Sequence, residues 1–300
     1  MKLSSFICSV FVLALSVSQA MAAYDKPYIG DLEELRTKYE DTFVHLALEH
    51  DLGYVEMRAA NPYVDPWVPG AGKTLILPKR HILPKTKHKG LVINLPEMRL
   101  YYYDTGGAPV TFPIGVGREG LDTPVGVTKI VRKKDGPSWR PTKRMREEDP
   151  DLPLVVPAGK DNPLGTHALY LGWPEYLIHG TNRVFGIGRR ISSGCIRMYP
   201  KHIPEVFNMV PVGTRVEVVD QPLKLAWIDD KLYLEAHPDL EQSIQMEEQG
   251  QVEAPKLDES GMDLIRQVAG ESEEKVRWAA VRTALKERRG YPVEIARRSP

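Results

Sequence analysis

From Leu91 to Val219 the chain is cut into short β-branched and aromatic runs, each closed by glycine, proline or aspartate. A chain punctuated in this way cannot assemble long helices, and its runs have the length of strands. Residues 91–95 form an apolar run, and 98–103 follow a Pro-Glu turn. Residues 110–116, 126–132, 168–171, 176–179 and 215–219 continue the series. Only 204–209 reads as a helix. The 25 prolines and 24 glycines suit a turn-rich protein, and the fold class expected over 90–220 is mainly β.

The flanks differ. In 30–78, Asp41 is placed to cap a helix whose apolar positions Phe43, Leu46 and Ala47 keep the 3.6 period, with Gly53 beyond its end. A second short helix is expected over 55–60, closed by Asn61-Pro62, then a strand over 74–77. With a strand near 35–39 the order is strand, helix, helix, strand. Residues 79–90 form a basic, proline-punctuated linker. In 221–300, Asp229-Asp230 divides 223–234 into a hairpin. Ser272 is placed to cap a helix running to Arg289 with Gly290 after it. That tail is expected to be a solvated, partly mobile helical extension.

Residues 1–22 carry the parts of an export signal: Lys2, an apolar run over 6–17, and the small-x-small site Ala20-Met21-Ala22. The run is about 12 residues, short of the roughly 20 that span a bilayer. A cleaved signal and no stable membrane insertion are expected. Forty basic side chains balance forty acidic ones, which argues against a nucleic-acid partner.

Of the two cysteines, Cys8 lies in the export segment, so the mature chain has one thiol, Cys195. Exported proteins usually pair their thiols, and an unpaired one is a liability unless it does chemistry. Cys195 needs a base or a positive environment to become a good nucleophile. His179 ends an apolar strand and precedes Gly180, which frees the backbone to turn. The small residues Ser193-Gly194-Cys195 let their N–H groups approach a carbonyl as an oxyanion hole. Together these groups suit acyl transfer through a thioester. Asp122 and the carboxylates of 147–149 lack metal-ligand spacing with histidine, and no metal or cofactor is expected.

The string Ile178-His179-Gly180-Thr181-Asn182, with Ile187-Gly188-Arg189-Arg190-Ile191-Ser192-Ser193-Gly194-Cys195-Ile196-Arg197, closely resembles the signature of L,D-transpeptidases, the YkuD or ErfK family. The likeness extends over 90–220, including Thr123-Pro124-Val125-Gly126 and Asn162-Pro163-Leu164-Gly165. Residues 30–78 resemble a LysM module, a small βααβ unit that binds glycan strands. The resemblance implies a YkuD-like β-sandwich after that module. It makes Cys195 the nucleophile on a peptidoglycan tetrapeptide stem, His179 the base and the Gly180 carbonyl its orienting partner. The N–H groups of Ser193, Gly194 and Cys195 become the oxyanion donors. Arg197, Thr181 and Asn182 are expected to bind substrate, with Arg197 either meeting a substrate carboxylate or bracing the site. His167 either lines the donor groove or is structural. Many members have histidine where this chain has Ser193, which leaves His179 as the one base in the motif. The proline-rich segment with Trp139, Arg140 and the basic run Lys143, Arg144 and Arg146 either covers the site, with charge suited to stem carboxylates, or is a solvated charged loop.

The reaction implied is periplasmic: release of D-alanine, then resolution of the thioester by an amine from a second stem or from a murein lipoprotein lysine. Water as acceptor would make an L,D-carboxypeptidase or a lipoprotein-releasing hydrolase. A wall-binding scaffold is the non-enzymatic alternative.

Overall fold

The computed structural model describes residues 24–253 and 259–298. The export signal expected over 1–22, with Cys8, lies outside the described residues. The chain opens with β1 (Tyr28–Ile29), β2 (Leu32–Arg36), α1 (Phe43–Glu49), α2 (Tyr54–Ala60), β3 (Thr74–Pro78) and β4 (His81–Ile82). β2 and β3 pair antiparallel around the two helices, in the strand-helix-helix-strand order expected. Thr42, not Asp41, caps α1: its hydroxyl accepts from His45 N, whereas the Asp41 carboxylate turns back to Lys38 N. Phe43, Leu46, Met57, Leu75 and Leu77 form a separate small core here.

The middle of the chain supplies β5 (Leu91–Asn94), β6 (Arg99–Tyr102), β7 (Val110–Gly117), β8 (Gly126–Asp135), α3 (Lys143–Glu148), β9 (His167–Leu171), β10 (Leu177–His179), β11 (Arg190–Ser192), β12 (Ile196–Met198), α4 (Ile203–Met209) and β13 (Arg215–Val219). Its strands lie in the order β11-β7-β12-β10-β9-β8-β13-β5-β6, and β6 pairs back onto β7. The expected two-layer sandwich is therefore one sheet that closes on itself. Closure happens because β7 is long enough to change partner along one edge: residues 110–113 pair with β6, and Val116 and Gly117 pair with β11. The apolar runs point into this ring. Leu91, Ile93, Leu100, Ile114, Ile130, Leu169, Ile178, Ile196 and Val216 are all buried together, with Ile203 and Val206 of α4 packed on them.

The tail departs from expectation. β14 (Leu223–Ile228) and β15 (Lys231–Ala236) form the hairpin, turning at Asp229 with φ +54°. After α5 (Gln242–Gln249), α6 (Glu259–Ala269) and α7 (Trp278–Glu287), the chain returns as β16 (Val293–Arg297) to pair with β15. Ser272 sits in a 3₁₀ stretch before α7 and does not cap it; Arg277 does the flanking. Leu232, Leu234, Ile265, Val281, Leu285 and Ile295 make a third core, so this region is packed rather than solvated. Its amphipathic helices have the 3.6 period, but with no strand foreseen at 293–297 their apolar faces had nothing to cover.

Two contacts lock the units together. Tyr54 N and Val55 N, at the start of α2, donate to the carbonyls of Ile187 and Gly188 (3.3 and 3.1 Å). A Cβ on Gly188, whose φ is +72°, would lie 2.3 Å from Gly53 Cα, so the two backbones touch only because both residues are glycine. Met246 of α5 closes the first core from the other side.

Candidate active site

β10 and β12 run parallel, with Ile178 level with Ile196 and His179 level with Arg197. Ile178 and Ile196 point into the core. Side chains alternate along a strand, so His179 and Arg197 share the opposite face, with Cys195 one step before β12 on that same face. The sheet thus brings together the three side chains that the motif separates by up to eighteen positions.

Each is pinned. His179 Nδ1 donates to the Gly180 carbonyl at 2.6 Å, which fixes the tautomer and leaves Nε2 with a free lone pair as the basic nitrogen. Gly180 is needed: a Cβ there would meet Ile203 Cγ2 at 2.9 Å. Burial, reinforced by the Arg197 charge, pushes His179 down to about 4 against the pull of the Gly180 carbonyl. Burial pushes the Cys195 thiol up, although the Leu177 backbone N–H and Arg197 work the other way. The resting pair is therefore neutral thiol and neutral imidazole. The thiol donates to the Glu175 carbonyl at 3.3 Å, so it must rotate to use His179. Burial also holds Arg197 below its usual value, eased by Cys195.

The turn carrying Cys195 is held at a left-handed Gly194, φ +99°, where a Cβ would lie 2.8 Å from the Tyr176 ring. Gly194 N donates to Ser192 Oγ at 3.2 Å. Gly194 N–H is thus engaged in this arrangement, while the N–H groups of Ser193 and Cys195 have no acceptor among the described residues. Sequence reasoning missed Thr123. Its buried hydroxyl donates to the Gly194 carbonyl (2.8 Å) and accepts from Gly117 N (3.1 Å), tying the Cys195 turn to β7. The one available signal was its place in the quoted Thr123-Pro124 string. Arg190 braces the same turn through Asp122 and the carbonyls of Gly117 and Leu240.

Cys195 and Ser193 open onto a cavity of about 910 Å³, walled by Asp122, Tyr176, Trp139, Arg140 and the start of α3. The proline-rich segment is thus a wall of the site. The remaining candidates make contacts within the protein. Thr181 is buried and accepts from Arg183 N (2.9 Å), and Asn182 donates to the Asp161 carbonyl (3.1 Å). His167 packs on Phe207 with ring centroids 4.6 Å apart and does not line the cavity, because β9 turns it toward α4.

A second polar cluster lies between the three cores. His81, Glu97 and Glu235 are buried with ligand atoms close enough for a metal ion. Lys224 Nζ already stands 2.8 Å from both carboxylates and supplies the positive charge.

Residues 88–218 match the YkuD family, described as the L,D-transpeptidase catalytic domain. "Probable L,D-transpeptidase YbiS" of Escherichia coli K12 is 42% identical over 84% of this chain and 82% of its own length. "Probable L,D-transpeptidase ErfK/SrfK" of the same organism is 37% identical over 99% of this chain and 98% of its own. The NMR structure of the catalytic domain from E. faecium L,D-transpeptidase aligns with 45% of this chain and all of that one, at 23% identity and a TM-score of 0.35, a likeness too small to inform the geometry.

Proposed function

This chain belongs to the L,D-transpeptidase family, acyltransferases that work through a cysteine nucleophile on peptidoglycan, and from that premise we propose that Cys195 is the acylated residue and His179 its base. The observation that carries the reading is one sheet face holding Cys195, His179 and Arg197, with the imidazole locked to the Gly180 carbonyl and the thiol open to the cavity.

Because both groups rest neutral, the proton moves as the bond forms. Cys195 Sγ swings off the Glu175 carbonyl and attacks the carbonyl of the stem's third residue, while His179 Nε2 takes the thiol proton. The developing oxyanion is met by the Ser193 and Cys195 N–H groups. His179 then returns the proton to the amine of the departing D-alanine, leaving a thioester on Cys195. An incoming amine attacks that thioester and gives its proton to His179, the C–S bond breaks, and His179 returns the proton to Cys195 Sγ to restore the thiol. Arg197 braces the two reacting groups by charge and keeps His179 neutral.

The acceptor amine belongs to a second stem or to the C-terminal lysine of a murein lipoprotein. The unit over 30–78 is a LysM-type module that holds glycan, a reading supported by its strand-helix-helix-strand order and its own core. The protein works in the periplasm, as the export signature in 1–22 suggests.

The test is product analysis by mass spectrometry of the mature chain with disaccharide-tetrapeptide, with and without a lipoprotein-tail lysine peptide. D-alanine release with an amide-linked product supports the reading and identifies the acceptor. D-alanine release into a free tripeptide makes the protein a hydrolase. Absence of turnover with intact wall binding makes it a scaffold.

A further inference from the structure

The cavity beside Cys195 is lined by four cations, Arg132, Arg140, Lys143 and Arg144, and by three acids, Asp122, Glu147 and Glu175. Most of this charge is spent locally. Arg144 pairs with Glu148 at 2.6 Å, Lys143 with Glu147 at 3.7 Å, and Asp122 with Arg190. Arg132 and Arg140 form no ion pair among the described residues. These two guanidinium groups are the unpaired cations of the wall; of its three acids, Glu175 alone forms no ion pair among the described residues.

Arg132 is held by its side chain, and Arg140 is positioned by the backbone of its segment. Arg132 stands opposite Tyr170 across the β8–β9 pair, and its guanidinium lies 3.5 Å from the centroid of that ring. The register shifts between Ile130 and Arg132, and such an irregularity re-aims the side chains that follow it. Stacking fixes the plane of the guanidinium and leaves its N–H edge to the cavity. Arg140 follows Trp139, which exchanges two backbone hydrogen bonds with Val156 (2.8 and 2.9 Å). Beneath that bridge Asn162, fully buried, donates to the carbonyls of Pro137 (2.7 Å) and Pro157 (3.0 Å). The segment carrying Arg140 is therefore anchored at its base.

We propose that Arg132 and Arg140 form the subsite that reads a free carboxylate of the donor stem, and so set which donors the enzyme accepts. The inference rests on the acyl-transfer reading of Cys195 and goes beyond it, because it assigns substrate selectivity to residues outside the motif. A planar, pre-stacked guanidinium suits a bidentate carboxylate and gives little to a neutral amide. The two arginines bind and orient the donor and take no part in proton transfer.

The test compares two disaccharide-tetrapeptide donors, one with the third residue's side-chain carboxylate free and one with it amidated. Each is given to the wild-type chain, to Arg132→Gln, Arg140→Gln and the double variant, and to Arg132→Lys. The wild type is expected to show a KM about tenfold lower for the free acid, with kcat nearly equal for the two donors. Each Gln variant narrows that ratio, the double variant abolishes it, and Arg132→Lys restores part of it. Thiol alkylation by iodoacetamide at the wild-type rate shows that the Cys195 turn is intact. A wild-type KM equal for both donors, or a ratio unchanged in the double variant, overturns the inference and leaves the acyl-transfer reading standing. Wild-type protein that releases D-alanine from neither donor overturns both.

Discussion

Replacing Lys224 with methionine tests how the three cores are held together. Lys224 Nζ lies 2.8 Å from Glu97 Oε1, 2.8 Å from Glu235 Oε1 and 2.7 Å from the Ile82 carbonyl, and the side chain is 1% exposed. Each contact reaches a different unit: Ile82 the linker after the first core, Glu97 the β5–β6 turn, Glu235 the C-terminal sheet. Methionine keeps the stem and removes the charge. Breaking a buried pair on one side costs about 3–5 kcal/mol, and stranding a carbonyl about 1–3 kcal/mol. These losses share one atom and do not add, so the expected destabilisation at pH 7 is about 4 kcal/mol. Burial alone would raise the Glu235 carboxyl, but Lys224, His237 and His81 outweigh it and hold it at about 2; Glu97 is likewise held well below its usual range. Because the folded values are lowered, this stabilisation is whole above about 4.3 and is lost as pH falls toward 2. Urea unfolding at pH 7 and pH 3 reads both effects, and the gap between variant and wild type should shrink in acid. Lys231→Met is the control: that side chain is 35% exposed and 3.8 Å from Glu294, so its loss should cost less than about 1 kcal/mol. A Lys224→Met cost below about 1 kcal/mol at pH 7, or a gap that grows in acid, refutes the reasoning.

Other consequences follow from the site itself. Thr123→Val removes a buried hydroxyl that holds Gly194, and should lower kcat at least tenfold, with a loss of about 1–3 kcal/mol in stability measured by urea unfolding. Gly188→Ala puts a Cβ 2.3 Å from Gly53 Cα at a φ of +72°; it should free the first unit from the barrel and expose 24–78 to limited proteolysis. Because His179 sits at about 4 and the thiol is pushed up, iodoacetamide alkylation of the free enzyme should rise steadily with pH from 5 to 8. A plateau beginning near pH 5 would instead reveal a standing thiolate–imidazolium pair.

The strand-helix-helix-strand order and most barrel strands were legible because their runs are short, apolar and punctuated. β11 and β12 were not, for Arg190–Ser192 and Ile196–Met198 are three residues each and lie within the motif. Their pairing, β11 with β7 and β12 between β7 and β10, is what puts Cys195 and His179 side by side. The proposed nucleophile and base, Cys195 and His179, were singled out by residue type and the motif. Thr123 and the Arg132–Tyr170 stack were not, since both arise from contacts distant in sequence. Nothing in the sequence of the 223–234 hairpin marks Lys224 as buried, because only the meeting of three units buries it. The bond from Gly194 N–H to Ser192 Oγ was not legible either, since it depends on a side-chain rotamer that no sequence pattern reveals.

The central claim is that the acyl group resides on Cys195, and peptide-level mass spectrometry of the acid-quenched enzyme tests it most directly. The mature chain is mixed with disaccharide-tetrapeptide in the absence of an amine acceptor, quenched and digested. The account predicts a disaccharide-tripeptide acyl adduct on the peptide containing Cys195, with one D-alanine released per adduct, and neither in Cys195→Ala. D-alanine release by Cys195→Ala, or an adduct on any other residue, would contradict it.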